Sequence, residues 1–125
     1  MLIADDEPSL RAMLVRVLAR DGYAVTAVDD GDELVRAARE AHAEGQPFDL
    51  IVSDVDMPRL RGTEALRALG ETKRDTPALL ITALRDESVL RDAADAGALG
   101  VLQKPFTLDV MRTAVAALTT RRRAR

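Results

Sequence analysis

No cysteine occurs among the 125 residues, which excludes a disulfide scaffold, a thiol nucleophile, a thiolate-bound zinc and an iron–sulfur cluster, and fits a reducing compartment. A single histidine, His42, excludes a multi-histidine metal centre. Tryptophan is absent, and three aromatics (Tyr23, Phe48, Phe106) supply no stacking platform for nucleic-acid bases. Long apolar runs are missing too. Met1-Leu2-Ile3-Ala4 meets acid at Asp5, so neither a membrane span nor a signal peptide is read, and a soluble, cytoplasmic protein is expected. Basic charge is scarce outside the extreme end. The 18 Lys and Arg face 21 Asp and Glu, a net −3; without Arg121, Arg122, Arg123 and Arg125 the count over residues 1–120 is 14 against 21, or −7. Direct nucleic-acid binding by such a body is not expected.

With 47% apolar and 31% charged residues the composition is that of an ordinary globular domain, and a chain of this size buries roughly two-thirds of its unfolded surface. One domain is expected over 1–120, followed at 121–125 by a basic tail or the start of a linker to an output domain. Met1 already stands inside the first strand, a terse start expected to weaken that strand. Leu2-Ile3-Ala4, Ala24 to Val28, Leu50 to Val52, Ala78 to Ile81 and Gly100 to Leu102 read as strands. Between the first two, Leu10, Met13, Leu14, Val17 and Leu18 make one helical stripe that Gly22 ends. Ala-diluted versions of this pattern cover about Asp32 to Ala43, Thr63 to Leu69, Glu87 to Ala96 and Leu108 to Leu118. Strict alternation predicts an α/β fold: a single doubly wound (βα)5 domain whose five-stranded parallel sheet has the order 2-1-3-4-5 by analogy. Ligands of such sheets bind at the carboxyl ends of the strands, where the winding reverses.

Those ends carry Asp5-Asp6, Asp54, Thr82-Ala83 and Lys104-Pro105-Phe106. Taken singly, each has a plain explanation; Asp6, for example, suits a helix cap ahead of Glu7 and Pro8. Capping does not explain three carboxylates converging with one lysine, because charges ~5 Å apart at an effective dielectric of ~20 repel by roughly 3 kcal/mol per pair. Three acids sum to −3, and a divalent cation plus Lys104 supplies +3. Oxygen ligands select a hard ion, and Mg²⁺ is the natural candidate because it commonly uses one or two carboxylates plus phosphate oxygens. Asp54 is then a candidate carboxylate nucleophile, with the metal, Lys104, the Thr82 hydroxyl and backbone N–H groups offsetting charge on a phosphoryl group; the product would be an aspartyl phosphate.

The runs Leu2-Ile3-Ala4-Asp5-Asp6-Glu7-Pro8, Asp54-Val55-Asp56-Met57-Pro58 with Gly62, Ile81-Thr82-Ala83 and Lys104-Pro105-Phe106 stand in this order along the chain. In them the sequence resembles, over essentially its whole length, the receiver domain of two-component response regulators. The resemblance implies Asp54 as phosphoacceptor, Asp5 and Asp6 as the acidic pair holding Mg²⁺ together with Asp54 and the Asp56 backbone carbonyl, Thr82 as the switch hydroxyl, and Lys104 as phosphate partner before a cis Pro105. It implies a sensor histidine kinase or histidine phosphotransfer protein as donor. It further implies an output partner or domain, and room for a homodimer through the fourth helix, fifth strand and fifth helix. Such a domain is a phosphoacceptor switch rather than an enzyme, with at most self-phosphorylation and self-dephosphorylation.

Departures from the family pattern are informative. Three residues before Lys104 the family usually has Tyr or Phe, and this chain has Val101. Either the response of the fourth-helix and fifth-helix surface is muted or rerouted, or Val101 packs as an ordinary strand residue, the reading its β propensity favours. Asp56 and Leu84, two residues beyond Asp54 and Thr82, stand where the family tunes phosphoryl lifetime; Asp56 either acts on the pocket or is a solvated loop acid. His42 reads as a surface residue. The Asp54-Val55-Asp56 run superficially resembles the Asp-x-Asp of haloacid-dehalogenase-like phosphatases, but it follows the third strand, continues to Met-Pro, and no cap segment is present. A phosphorylation-independent interaction module would normally show loss of the acceptor, the acid pair, the Thr or the Lys, and all are retained. A flavin site would need a Ser/Thr/Gly-rich loop after strand one.

Overall fold

The computed structural model describes all residues except Arg85, Ala124 and Arg125, with no side chain beyond Thr120. Five strands alternate with five helices: β1 (Leu2–Ala4), α1 (Pro8–Arg20), β2 (Thr26–Val28), α2 (Gly31–Ala43), β3 (Ile51–Asp54), α3 (Gly62–Leu69), β4 (Ala78–Thr82), α4 (Glu87–Asp95), β5 (Gly100–Gln103) and α5 (Leu108–Arg123). The strands form one parallel sheet in the order β2-β1-β3-β4-β5, as expected.

Period-two alternation in the strands divides the core into two layers. Leu2, Ala4, Ile51 and Leu80 face α2, α3 and α4, packing with Leu34, Ala38, Leu66, Leu69 and Ala93. Ile3, Val52, Leu79, Ile81 and Leu102 face α1 and α5, packing with Leu14, Leu18, Met111 and Val115. The inner strands β1, β3 and β4 are therefore buried at every position, which is why they read as unbroken apolar runs. Despite its terse start, β1 pairs on both sides, and Leu2 and Ile3 are fully buried.

Several boundaries differ from expectation. Parallel pairing starts β3 one residue later than expected, at Ile51, and carries it two residues further, with Asp54 in register with Ile81. β2 is shortened to its three paired residues. A 3₁₀ turn over Gly70–Arg74, not anticipated, follows α3 where Gly70 takes φ 56°. Asp6 does not cap α1: the Glu7 carboxylate accepts from the N–H groups of Ser9 and Leu10, with Pro8 next in line. The helix-forming arginines carry the α5 backbone through Arg123, and the rest of the expected basic tail, with all side chains of 121–125, lies outside the described residues. Among the described residues no helix is long and apolar enough to cross a membrane.

The connection between β3 and α3 is tight. Gly62 N–H donates to the Val55 carbonyl at 2.9 Å, and a Cβ at Gly62 would stand 2.4 Å from the Asp54 carbonyl oxygen. Backbone cannot yield there as a flexible side chain would. Gly62→Ala is expected to lower unfolding free energy by about 1–3 kcal/mol, read from the urea midpoint, despite the better helix propensity of Ala.

Candidate functional site

β1, β3, β4 and β5 end at the same edge of the sheet, and each delivers one or two polar residues to it. At the end of β1, the Asp5 N–H donates to the Val28 carbonyl, and Asp5 Oδ1 accepts from the Glu7 N–H at 2.9 Å. Arg11 of α1 donates to the Asp5 carbonyl at 2.8 Å, tying the helix to this turn. The other carboxylate oxygen, Asp5 Oδ2, is buried and has no hydrogen-bond partner among the described residues. Such an orphan acceptor costs about 1–3 kcal/mol unless something positive reaches it.

Asp54, 5% exposed, closes β3. Its Oδ1 accepts from the Asp56 N–H at 3.0 Å and its Oδ2 from Lys104 Nζ at 2.8 Å. Lys104 reaches it from the end of β5, where its N–H donates to the Thr82 carbonyl and its bond to Pro105 is cis, as expected. One carboxylate oxygen from each of Asp5, Asp6 and Asp54 lies within 4.8 Å of the others. Thr82 is fully buried beside them, and its hydroxyl accepts from the Leu84 N–H at 3.1 Å. Among the described residues it makes no hydrogen bond to the carboxylates. The predicted residues thus converge on one edge, with the Asp56 carboxylate outside the trio: it is exposed and paired with Arg61 at 3.3 Å.

Electrostatics follow from that crowding. Burial pushes the Asp5 carboxyl above its ordinary range, and the Asp54 and Asp6 charges push further; the Glu7 N–H and Lys104 only partly oppose them. Burial by itself would lower the Lys104 ammonium, but its hydrogen bond to Asp54 and the charges of Asp54, Asp5 and Asp6 outweigh that, so it is raised. Among the described residues, three carboxylates stand against one ammonium, a formal charge of −2 when all are ionised. All-oxygen donors, a net charge matching a divalent cation and a buried unpartnered Asp5 Oδ2 fit a hard ion such as Mg²⁺.

Two residues outside the cluster are located by the structure. Val101 packs as a strand residue on the α2–α3–α4 side of the sheet. His42 is exposed, with Asp75 as partner at 3.2 Å. Arg11 and Arg61 escaped the sequence reading, because each reaches its partner across a loop or turn at a spacing no motif describes, whereas Glu7 directly before Pro8 was a legible cap signal.

Comparisons with known proteins agree with this geometry. Residues 1–116 match the family described as the response regulator receiver domain. The response regulator MprA of Mycolicibacterium vanbaalenii is 39% identical over 121 residues, covering 97% of this chain and 50% of the relative; that of Mycobacterium leprae is 40% identical, covering 97% and 51%. The chain therefore spans about half the length of these curated relatives. Among solved structures, the Vibrio cholerae chemotaxis protein CheY4 superposes with a TM-score of 0.83 at 31% identity, covering 94% of this chain and 95% of that one. The receiver domain of a Pseudomonas aeruginosa sensor histidine kinase, solved with magnesium coordinated in its active-site cleft, gives 0.82 at 29% identity, covering 95% of each.

The raised Asp5 carboxyl has a signed consequence. Between the ordinary carboxylate range and its raised value the native state holds more protons than the unfolded chain, so metal-free stability should fall as pH rises through that window. Asp5→Asn should flatten this slope and raise metal-free stability above it. Urea midpoints collected across the window check both; an unchanged slope in the variant counts against the assignment.

Proposed function

This chain belongs to the response regulator receiver family of two-component systems, and from that premise we propose that Asp54 is its phosphoacceptor. One observation supports this above the others: the Asp54 carboxylate sits in the acidic trio and is also the one held by the Lys104 ammonium. A carboxylate oxygen of Asp54 attacks the phosphorus of a phosphohistidine donor. The P–N bond breaks with its electron pair passing to the imidazole nitrogen, which is then protonated, and an acyl phosphate remains on Asp54.

The chain's own groups serve that transfer in distinct ways. The Asp56 N–H and Lys104 Nζ hold the two carboxylate oxygens and so orient the nucleophile. Asp5, Asp6, Asp54 and the Asp56 backbone carbonyl are the residues that would hold Mg²⁺. When bound, that ion supplies positive charge against the phosphoryl oxygens and the acidic pocket. Lys104 adds a charge-assisted hydrogen bond to the incoming group. The Thr82 hydroxyl, engaged as an acceptor by the Leu84 N–H, retains a proton to donate to a phosphoryl oxygen, drawing the segment after β4 toward the site and shifting a two-state equilibrium.

Partners follow from the same reading. A sensor histidine kinase or histidine phosphotransfer protein supplies the phosphoryl group, and small phosphodonors allow self-phosphorylation, with self-dephosphorylation by water. Residues 1–120 act as the receiver unit and 121–125 as the approach to an output domain, consistent with relatives about twice as long. A groove of about 560 Å³ between α4, β5 and α5, of mixed polarity and lined by Leu90, Val101, Gln103, Phe106, Thr107 and Val110 among others, offers a readout or homodimer face. The absence of cysteine and the kinase chemistry suit the cytoplasm.

Incubation with acetyl phosphate and Mg²⁺ should add one phosphoryl group to the wild type by intact mass and none to Asp54→Asn. Lys104→Ala should slow the addition on the order of 10²-fold. A wild type without adduct, or an adduct surviving in Asp54→Asn, overturns the assignment.

A further inference from the structure

The Asp56 backbone N–H donates to Asp54 Oδ1, so its exposed side chain starts next to the acceptor, outside the acidic trio. Left free, that side chain adds negative charge at the mouth of a pocket whose formal charge is already −2 with its groups ionised. It is not free: Arg61 Nη2 lies 3.3 Å from Asp56 Oδ1. The origin of that arginine is firmly set. Its N–H donates to Glu64 Oε1 at 3.0 Å as α3 begins, and the next residue, Gly62, is bonded to Val55 and packed on the Asp54 carbonyl. The Arg61 charge also falls on Asp92 of α4, but Arg67 already holds that carboxylate at 2.6 Å. Arg61 is therefore available to Asp56.

We infer that Arg61 is a positioning residue for phosphoryl transfer: it draws the Asp56 carboxylate toward the start of α3 and so limits the negative potential that an anionic donor meets. The inference rests on Asp54 as acceptor. Both side chains are more than half exposed, so the pair is weak and salt-sensitive, and its effect is a modest tuning rather than an on–off control. Its signature is a pair of opposite signs. Releasing Asp56 toward the pocket favours a cation and opposes an anion, whereas disordering the loop would harm both.

The test compares wild type, Arg61→Ala, Arg61→Lys, Asp56→Asn and the Arg61→Ala/Asp56→Asn double variant at low ionic strength. Mg²⁺ affinity is measured by calorimetry, and the rate of adduct formation from acetyl phosphate at saturating Mg²⁺ by intact mass. Arg61→Ala should bind Mg²⁺ about threefold more tightly and react about threefold more slowly, the size expected of one screened charge at the rim. Both shifts should collapse in the Asp56→Asn background and at high salt, and Arg61→Lys should recover most of each. Shifts of the same sign, shifts that persist without the Asp56 carboxylate, or no shift at all overturn the inference. Should the wild type bind Mg²⁺ yet form no adduct, the acceptor assignment fails on its own, and the Mg²⁺ arm still decides the part played by Arg61.

Discussion

Two aspartates from adjacent parallel strands, Asp5 and Asp54, are held buried at one edge against their mutual repulsion, with Asp6 beside them. Like charges at such spacing oppose one another by about 3 kcal/mol per pair in partly screened surroundings. They stay together because the strands beneath them are committed elsewhere. Leu2, Ile3, Ile51 and Val52 are fully buried in the two core layers, so moving either carboxylate away would drag a core residue with it. Stability in the layers thus sustains an unfavourable arrangement at the rim, and that arrangement is what gives the rim an appetite for cations.

Lys104 answers part of the deficit through its 2.8 Å hydrogen bond to Asp54, and the unpartnered Asp5 Oδ2 marks the part left unanswered. Receiver domains generally bind Mg²⁺ at an acidic pocket, and the cluster here has the donor chemistry for it. Chemistry and switching then share one origin. On the proposed reading, a pocket short of positive charge would hold a divalent ion through Asp5, Asp6 and Asp54, Lys104 would help make an anionic phosphoryl group tolerable, and its oxygens would compete for the Thr82 hydroxyl. Val101 supplies no swinging ring on β5.

Neighbouring contacts keep the geometry from relaxing. Glu7 caps α1 while its N–H engages Asp5, so one residue joins helix initiation to carboxylate orientation. Gly62 performs the equivalent service after β3, where the start of α3 lies against the Asp54 carbonyl without room for a side chain. Arg11 and Arg61 approach the rim from opposite helices, one on the Asp5 carbonyl and the other on the Asp56 carboxylate.

The alternation of strands and helices and the residues at the strand ends were legible in the linear chain, because burial on two faces writes unbroken apolar runs and packing on one face writes a helical stripe; the sheet order 2-1-3-4-5 came by analogy. Asp5, Asp6, Asp54, Thr82 and Lys104 could be grouped from their places at strand ends alone. Tertiary structure decided what depends on distance rather than on period. It started β3 one residue later and carried it through Asp54 by pairing with β4, and it added the turn over Gly70–Arg74. It also left Asp5 Oδ2 without a partner among the described residues and turned Asp56 toward Arg61. Hydrophobic periodicity is a local property that neighbouring residues express together, whereas a hydrogen bond or an ion pair across a loop exists only once the chain has closed around it.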